Sequence, residues 1–238
     1  MATRGTITAT PSTRRPSRIR RRDAAATREA LIAAGTELFA ERGYDGAPVA
    51  TIAQKAAVNK AMINYHFGGK RQLYLAIVRV TFAEIVERIE RLADSPLPAA
   101  EALREIIAAV ADVATRRHPH FCAMMLREVV AGGKHIDPAL VDNPSRILGA
   151  VQRVVARGVS SGDFRPVDPL LTHLSLVGSL VFFFATSRFR ERVLAARRPP
   201  VKPPDAAAYV RHIQDLVTHG LAAPRRRVRP APAAEDKA

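Results

Sequence analysis

The run from Thr51 to Lys70, TIAQKAAVNKAMINYHFGGK, sets two short apolar faces on either side of a polar break. Ile52 and Ala53 fall on one face of a first helix. Val58 with Met62 or Ile63 offers the complementary face of a second, because neighbours on a helix surface recur at three- and four-residue spacing. Two such helices bury one seam and leave the other side of the second helix facing outward. Asn59 suits the opening of that helix, since its side-chain oxygen can accept a backbone N–H left unpaired by the first turn. From Asn59 to His66 the helix would be about 12 Å long, comparable with the width of a DNA major groove. Lys60, Asn64 and Lys70 can donate to base edges or phosphates, and Tyr65 and His66 can reach phosphate oxygens from the same end. No acidic residue lies between Thr51 and Lys70. The pattern points to a helix-turn-helix presented to duplex DNA.

Charge supports the same partner independently. Of the formal net charge of +15, residues 1–22 supply +7 through Arg4, Arg14, Arg15, Arg18, Arg20, Arg21 and Arg22. Residues 223–238 supply +3 and residues 23–222 the remaining +5. An Arg-rich arm just ahead of a DNA-reading domain can follow the phosphate backbone or enter a narrow minor groove, giving affinity that salt erases. The same Ser, Thr and Arg composition is that of an organellar transit peptide. The direct run of the Arg cluster into the DNA-reading helices favours the arm. It lacks the apolar core of a secretory signal, and a single cysteine, Cys122, cannot close an internal disulfide, so a reducing cytoplasmic compartment is expected. Cys122 is expected in the core.

Beyond about residue 45, Val and Ile recur at three- and four-residue intervals and Gly and Pro fall between segments, which predicts an all-α protein. Leu73, Ile77, Val80, Ile85, Ile89 and Leu92 trace one long helix that ends at Ser95-Pro-Leu-Pro98. Further helices are predicted over about 99–117 and 118–131, the latter stopped by Gly132-Gly133. Asp137-Pro138 and Asp168-Pro169 read as cap and first turn of two more, and a last helix spans about 205–217. The domains expected are a disordered basic arm at 1–22, a DNA-binding domain at 23–70, a larger helical domain at 71–222 and a disordered basic tail at 223–238.

The segment Thr27 to Tyr44, TREALIAAGTELFAERGY, followed by the run above and by NYHFGGKRQLY at Asn64–Tyr74, resembles the DNA-binding domain of the TetR family of bacterial transcription regulators. The resemblance implies a three-helix helix-turn-helix domain followed by a helical effector-binding and dimerisation domain. Carried over position by position, it implies base readout by Lys60, Ala61, Met62 and Asn64, with Thr51, Tyr65, His66 and Lys70 on phosphates. Two positions depart from the family pattern. Ala57 stands where the turn usually has Gly, so the backbone there either avoids a positive φ or carries strain. Ala47 and Pro48 stand where Ser or Thr usually opens the second helix. Pro48 suits a first helical position, and Thr51, one turn along, can take over the phosphate contact.

The resemblance also implies a homodimer whose last two long helices, about 167–195 and 205–220, pair with their twins, and an operator that is a short inverted repeat. The segment from Pro169 to Ser187 has no formal charge, but its Ser, Thr, His, Gly and Pro content argues against a membrane span. A helix this apolar must be buried, and Ser175, Gly178 and Ser179 would let another helix approach. A small-molecule effector is implied among the central helices. Phe121, Met124, Met125, Phe164 and Phe183 are candidate apolar walls, with Phe182 and Phe184 beside them, and Arg127, His173 or Glu128 are candidate polar anchors. Arg127, on an otherwise apolar helix, needs Glu128 or a bound anion as partner.

No Gly-rich phosphate loop, His-Glu-x-x-His pair, Gly-x-Ser-x-Gly turn or metal-spaced Cys/His cluster occurs, so no catalytic residue, metal or cofactor is expected. His118 and His120 lack further ligands at useful spacing. The alternative to a sequence-specific regulator, more readily a repressor, is a nucleoid-type protein that binds nucleic acid through its tails without selectivity. Salt separates the two.

Overall fold

The computed structural model describes residues 18–224; the rest of the basic arm and nearly all of the C-terminal tail lie outside the described residues. The elements are α1 (Arg18–Arg42), α2 (Val49–Lys55), α3 (Ala61–Phe67), α4 (Lys70–Ala93), α5 (Ala99–Asp112), α6 (Phe121–Val130), α7 (Pro138–Ser161), α8 (Pro169–Ala185), α9 (Ser187–Ala195) and α10 (Ala206–Leu221). Among the described residues there is no strand, only an isolated bridge between Phe164 and Ala222. The backbone is already helical at Arg18, ahead of the boundary expected at residue 23.

Two apolar cores hold these helices. Leu31, Leu38 and Phe39 of α1, Ile52 and Ala53 of α2, Ile63 of α3 and Leu73, Tyr74 and Ile77 of α4 form the first. Phe121 and Met124 of α6 and Leu140 of α7 belong to the same cluster. The DNA-reading helices therefore do not close a core of their own at residue 70. Each fully buried large side chain stabilises the fold by about 1.5–3 kcal/mol, so α6 is part of what keeps α1 and α4 together. The second core joins the far end of α4 (Ile89, Ala93) to Leu103 and Ile107 of α5, Val151, Val154 and Val155 of α7, Leu176 and Leu180 of α8 and Ile213 of α10. The helix α4 runs through both.

Helix ends follow local chemistry where a cap is available. Asp168 accepts the N–H groups of Leu170 and Leu171, and Asp205 accepts that of Ala208. Two expected helices end otherwise. The helix predicted over 99–117 leaves α geometry at Asp112 and closes as a π turn, Val113–Arg117, where the His118 N–H reaches the Val113 carbonyl at 2.8 Å. Pro119 restricts His118, so α6 opens at Phe121 rather than His118. The helix predicted over 167–195 is two, α8 and α9, meeting at 66°. Its Ser and Thr side chains turn back on the preceding turn: Ser175 onto Leu171, Ser179 onto Ser175 and Thr186 onto Phe182. Such back-bonding bends helices. Arg190 takes the Phe183 carbonyl at 2.7 Å at the break. Among the described residues no single helix is long and apolar enough to cross a membrane.

Candidate nucleic-acid interface

The turn between α2 and α3 ends α2 by the two bonds of a Schellman motif. Ala57 N–H reaches the Gln54 carbonyl and Val58 N–H the Ala53 carbonyl, both at 3.0 Å. The motif requires a left-handed residue after the cap, and Ala57 supplies it with φ 54°. A Cβ in that region costs about 1–2 kcal/mol, so of the two outcomes open at Ala57 the strained one is realised. At the other end of α2, Pro48 lies outside the helix (φ −67°, ψ 142°) and its carbonyl accepts the Ile52 N–H at 3.1 Å. The expected place for Pro48 in the first helical turn is thus corrected by one residue. Ala47 is fully buried, which accounts for a small apolar residue there. Lys55 of α2 pairs with Glu37 of α1 at 2.8 Å, and this ion pair holds the Glu37 carboxyl below its usual pKa.

Asn59 accepts the Ala61 N–H at 2.9 Å, the capping bond expected of it, but the regular helix opens at Ala61 rather than Asn59 and runs to Phe67. Gly68 stops it in the left-handed region with φ 79°, its N–H on the Asn64 carbonyl. Ile63 is fully buried against Ile52 and Ala53, so the seam read from the sequence forms. The opposite side presents Lys60, Ala61, Asn64 and Tyr65 together, all exposed and Tyr65 by 77%. Met62 is half-buried and packs against the first core. Thr51 and His66 are half-buried, the His66 ring edge-on to Tyr65.

Lys70, expected on phosphate, rests its ammonium over the Tyr44 ring at 4.6 Å and near the Asp45 carbonyl. Burial pulls its pKa below the ordinary value, against a smaller opposing effect of Asp45. Phe67, the last residue of α3, carries the Arg28 guanidinium over its ring at 5.3 Å. Arg28, which is exposed, and the half-buried Glu37 and Tyr44 brace the reading elements from α1 and the turn after it, and no local pattern in the sequence announces these long-range partners.

The expected effector contacts are spread over both cores, and of the seven only Met124 and Arg127 share a cavity, one of about 230 Å³ that Tyr44, Tyr74, Glu128 and His135 also line. Phe121 and Met124 are buried in the first core and Met125 packs on it. Phe164 is buried against Gly158 in the second core. Phe183 is stacked between Tyr209, 3.6 Å away and parallel, and the Arg190 guanidinium at 3.7 Å. His173 is buried with Nδ1 lacking a hydrogen-bond partner, and burial lowers its pKa. Arg127 is corrected too: it donates to the Ala40 carbonyl at 2.7 Å and the Glu41 carbonyl at 3.0 Å, the C-terminal end of α1, instead of pairing with Glu128. An open cavity of about 440 Å³ between α8 and α10, lined by Asp168, Leu171, Thr172, Ser175 and Val217 among others, touches none of the seven candidates. His118 lies 3.3 Å from Glu84, and among the described residues no group of three His, Cys, Asp or Glu is placed to hold a metal ion.

Residues 31–77 match the family of bacterial regulatory proteins named tetR, and residues 99–217 match the tetracyclin repressor-like C-terminal domain. The chain is similar to the HTH-type transcriptional repressor NicS of Pseudomonas putida, 27% identical over 177 residues that cover 73% of this chain and 82% of NicS. It is also similar to the HTH-type transcriptional regulator RutR of Escherichia coli, 26% identical over 63% of this chain and 70% of RutR. Among solved structures, the TetR family regulator PfmR from Thermus thermophilus superposes with a TM-score of 0.63 at 25% identity, covering 79% of this chain and 97% of PfmR.

Proposed function

The chain belongs to the TetR family of bacterial regulatory proteins, and from that premise we propose that it is a cytoplasmic, homodimeric repressor that leaves its operator when a small molecule binds. It is a sequence-specific DNA-binding transcription regulator, as its relatives are. The observation that carries the reading is the outward face of α3, where Lys60, Ala61, Asn64 and Tyr65 stand exposed on a helix whose other face is locked by Ile63. Asn can bond adenine through two atoms, Lys can donate to guanine or phosphate, and the Ala61 methyl can meet thymine.

Dimerisation is supported by α8, whose Leu170, Leu171, Leu174, Val177 and Phe182 remain exposed on one side together with Leu216 of α10. A two-fold pair of such faces is self-complementary and sets two α3 helices toward successive major grooves, so the operator is an inverted repeat. The effector binds among α4 to α10, with buried, unpartnered His173 as the best-supported polar contact. Arg28 and Lys70 flank the interface as cations for the phosphate backbone.

Selection of bound duplexes from a random pool, at moderate and at raised salt, tests the proposal. An inverted repeat that stays enriched as salt rises is expected. Uniform binding that collapses with salt for every duplex would make the protein a nonselective basic binder. Release of the selected duplex by a cell-metabolite extract tests the effector arm.

A further inference from the structure

A carboxylate sits almost sealed at the joint between the DNA-reading helices and the rest of the chain. Glu128 of α6 is 3% exposed. Burying a carboxylate is costly unless donors replace its water, and here they come from two separate elements. The Tyr74 hydroxyl of α4 donates to Oε2 at 2.8 Å. The His135 backbone N–H donates to Oε1 at 2.6 Å, and His135 Nδ1 lies 3.1 Å from Oε2. Burial alone would raise the Glu128 pKa, but these bonds together hold it below the usual carboxylate value.

The chain is folded to make this contact. The α6 helix ends in a second Schellman turn, Gly133 N–H on the Glu128 carbonyl and Gly132 N–H on that of Val129, with both glycines at φ 75°. That turn doubles the backbone back so that His135 meets the side chain of the residue seven positions earlier. The His135 ring then lies on Tyr44, centroids 4.3 Å apart, in the turn between α1 and α2. Asp45 comes within 3.9 Å of its far nitrogen. Tyr44 is also the ring on which Lys70 rests. Next to Glu128, Arg127 grips the last carbonyls of α1. One end of α6 is thus tied to α1, to α4 and to the turn that leads into α2.

We infer that Glu128 is a positioning residue for DNA binding: through Tyr74 on one side and His135 stacked on Tyr44 on the other, it fixes the orientation of the reading helices relative to the effector domain. The inference rests on the reading of this protein as an operator-binding regulator. Its specific content is that this carboxylate with its Tyr74 and His135 partners, and not the apolar core alone, sets that orientation. A core hydrogen bond of purely local value would not do this.

The test uses the full-length chain with Tyr74→Phe, Glu128→Gln and Glu128→Leu, each measured at a temperature where circular dichroism shows it folded. Operator affinity is read on the duplex recovered by selection, and amide hydrogen exchange is read along the chain. Glu128→Leu and Tyr74→Phe are expected to weaken operator binding by about tenfold, within the usual range of coupling between sites. Glu128→Gln, which keeps an acceptor oxygen, should recover part of that loss. Exchange should quicken from Leu38 to Phe67 while α8 and α10 stay as protected as in the wild type. Folded variants that bind the operator within twofold of wild type with unchanged exchange would overturn the inference. If Glu128→Leu fails to fold, Tyr74→Phe, which keeps the ring in the core, still decides. If the wild type itself prefers no duplex, the functional reading fails separately, and the exchange data alone judge the joint.

Discussion

The Phe164 ring lies against the bare Cα of Gly158, so closely that a Cβ built on Gly158 would stand 2.2 Å from ring carbon Cδ2 and 2.8 Å from Cγ. Gly158 is inside α7, where replacing Gly with Ala ordinarily gains about 1 kcal/mol. Here the neighbour is the root of a buried aromatic rather than the tip of a flexible chain, and overpacking of that kind costs about 1–3 kcal/mol or more. The clash wins. Gly158→Ala should lower unfolding stability by at least about 1 kcal/mol in urea denaturation, and a variant as stable as wild type would show that Phe164 can retreat.

Ala57 offers the opposite case. Its φ of 54° is the conformation that glycine adopts without penalty. Ala57→Gly relieves about 1–2 kcal/mol of backbone strain and returns part of it as unfolded-state entropy, so a net gain of about 0.5–1 kcal/mol is expected. Thermal unfolding measures it; a lower midpoint would mean that the turn is not strained.

Asn64 stands at the centre of the exposed side of α3. Asn64→Ala should cost about 1–3 kcal/mol on the selected operator and little on random duplex if it reads a base. Equal losses on both would assign Asn64 to the phosphate backbone.

Burial lowers the His173 pKa from the 6.5 of an unperturbed imidazole. Below about pH 6.5 the unfolded chain takes up a proton that the folded chain refuses, so this residue makes stability fall with falling pH. The fall ends once the pH is below the depressed folded value and both states are protonated. His173→Gln should therefore lose less stability than wild type between pH 7.5 and 5. Parallel pH profiles would show that His173 makes no such contribution.

The face of α8 gives a prediction about assembly. Leu174 and Phe182 are 56% and 64% exposed in the single chain, so charging them should leave the fold intact. Leu174→Glu combined with Phe182→Glu should convert a sedimenting dimer into a species of one chain mass with an unchanged circular dichroism spectrum. A dimer that persists would place the interface elsewhere.

What the sequence disclosed was largely what neighbours in the chain decide. Asp168 and Asp205 cap α8 and α10 because a side-chain oxygen reaches N–H groups two or three residues on. The seam of Ile52, Ala53 and Ile63 follows from helical spacing. The α8 to α9 break stayed hidden because Ser and Thr suit a straight helix as well as a bent one until their hydroxyls choose a carbonyl. Phe121, Met124 and Phe164 have the spacing and chemistry of pocket walls and of core alike, and the fold buries all three in its cores. Tyr74 and Glu128 meet across 54 positions, and Arg127 finds carbonyls 86 and 87 positions away. Only the folded topology brings those together.

The sharing of the first core by α6 has an engineering consequence. A fragment cut after α4 would expose the socket that Phe121 and Met124 fill, presenting a raw apolar hole to water and inviting aggregation. Transplanting this reading head onto another regulator's sensory half therefore calls for a splice beyond α6, with its Gly-Gly return loop travelling along.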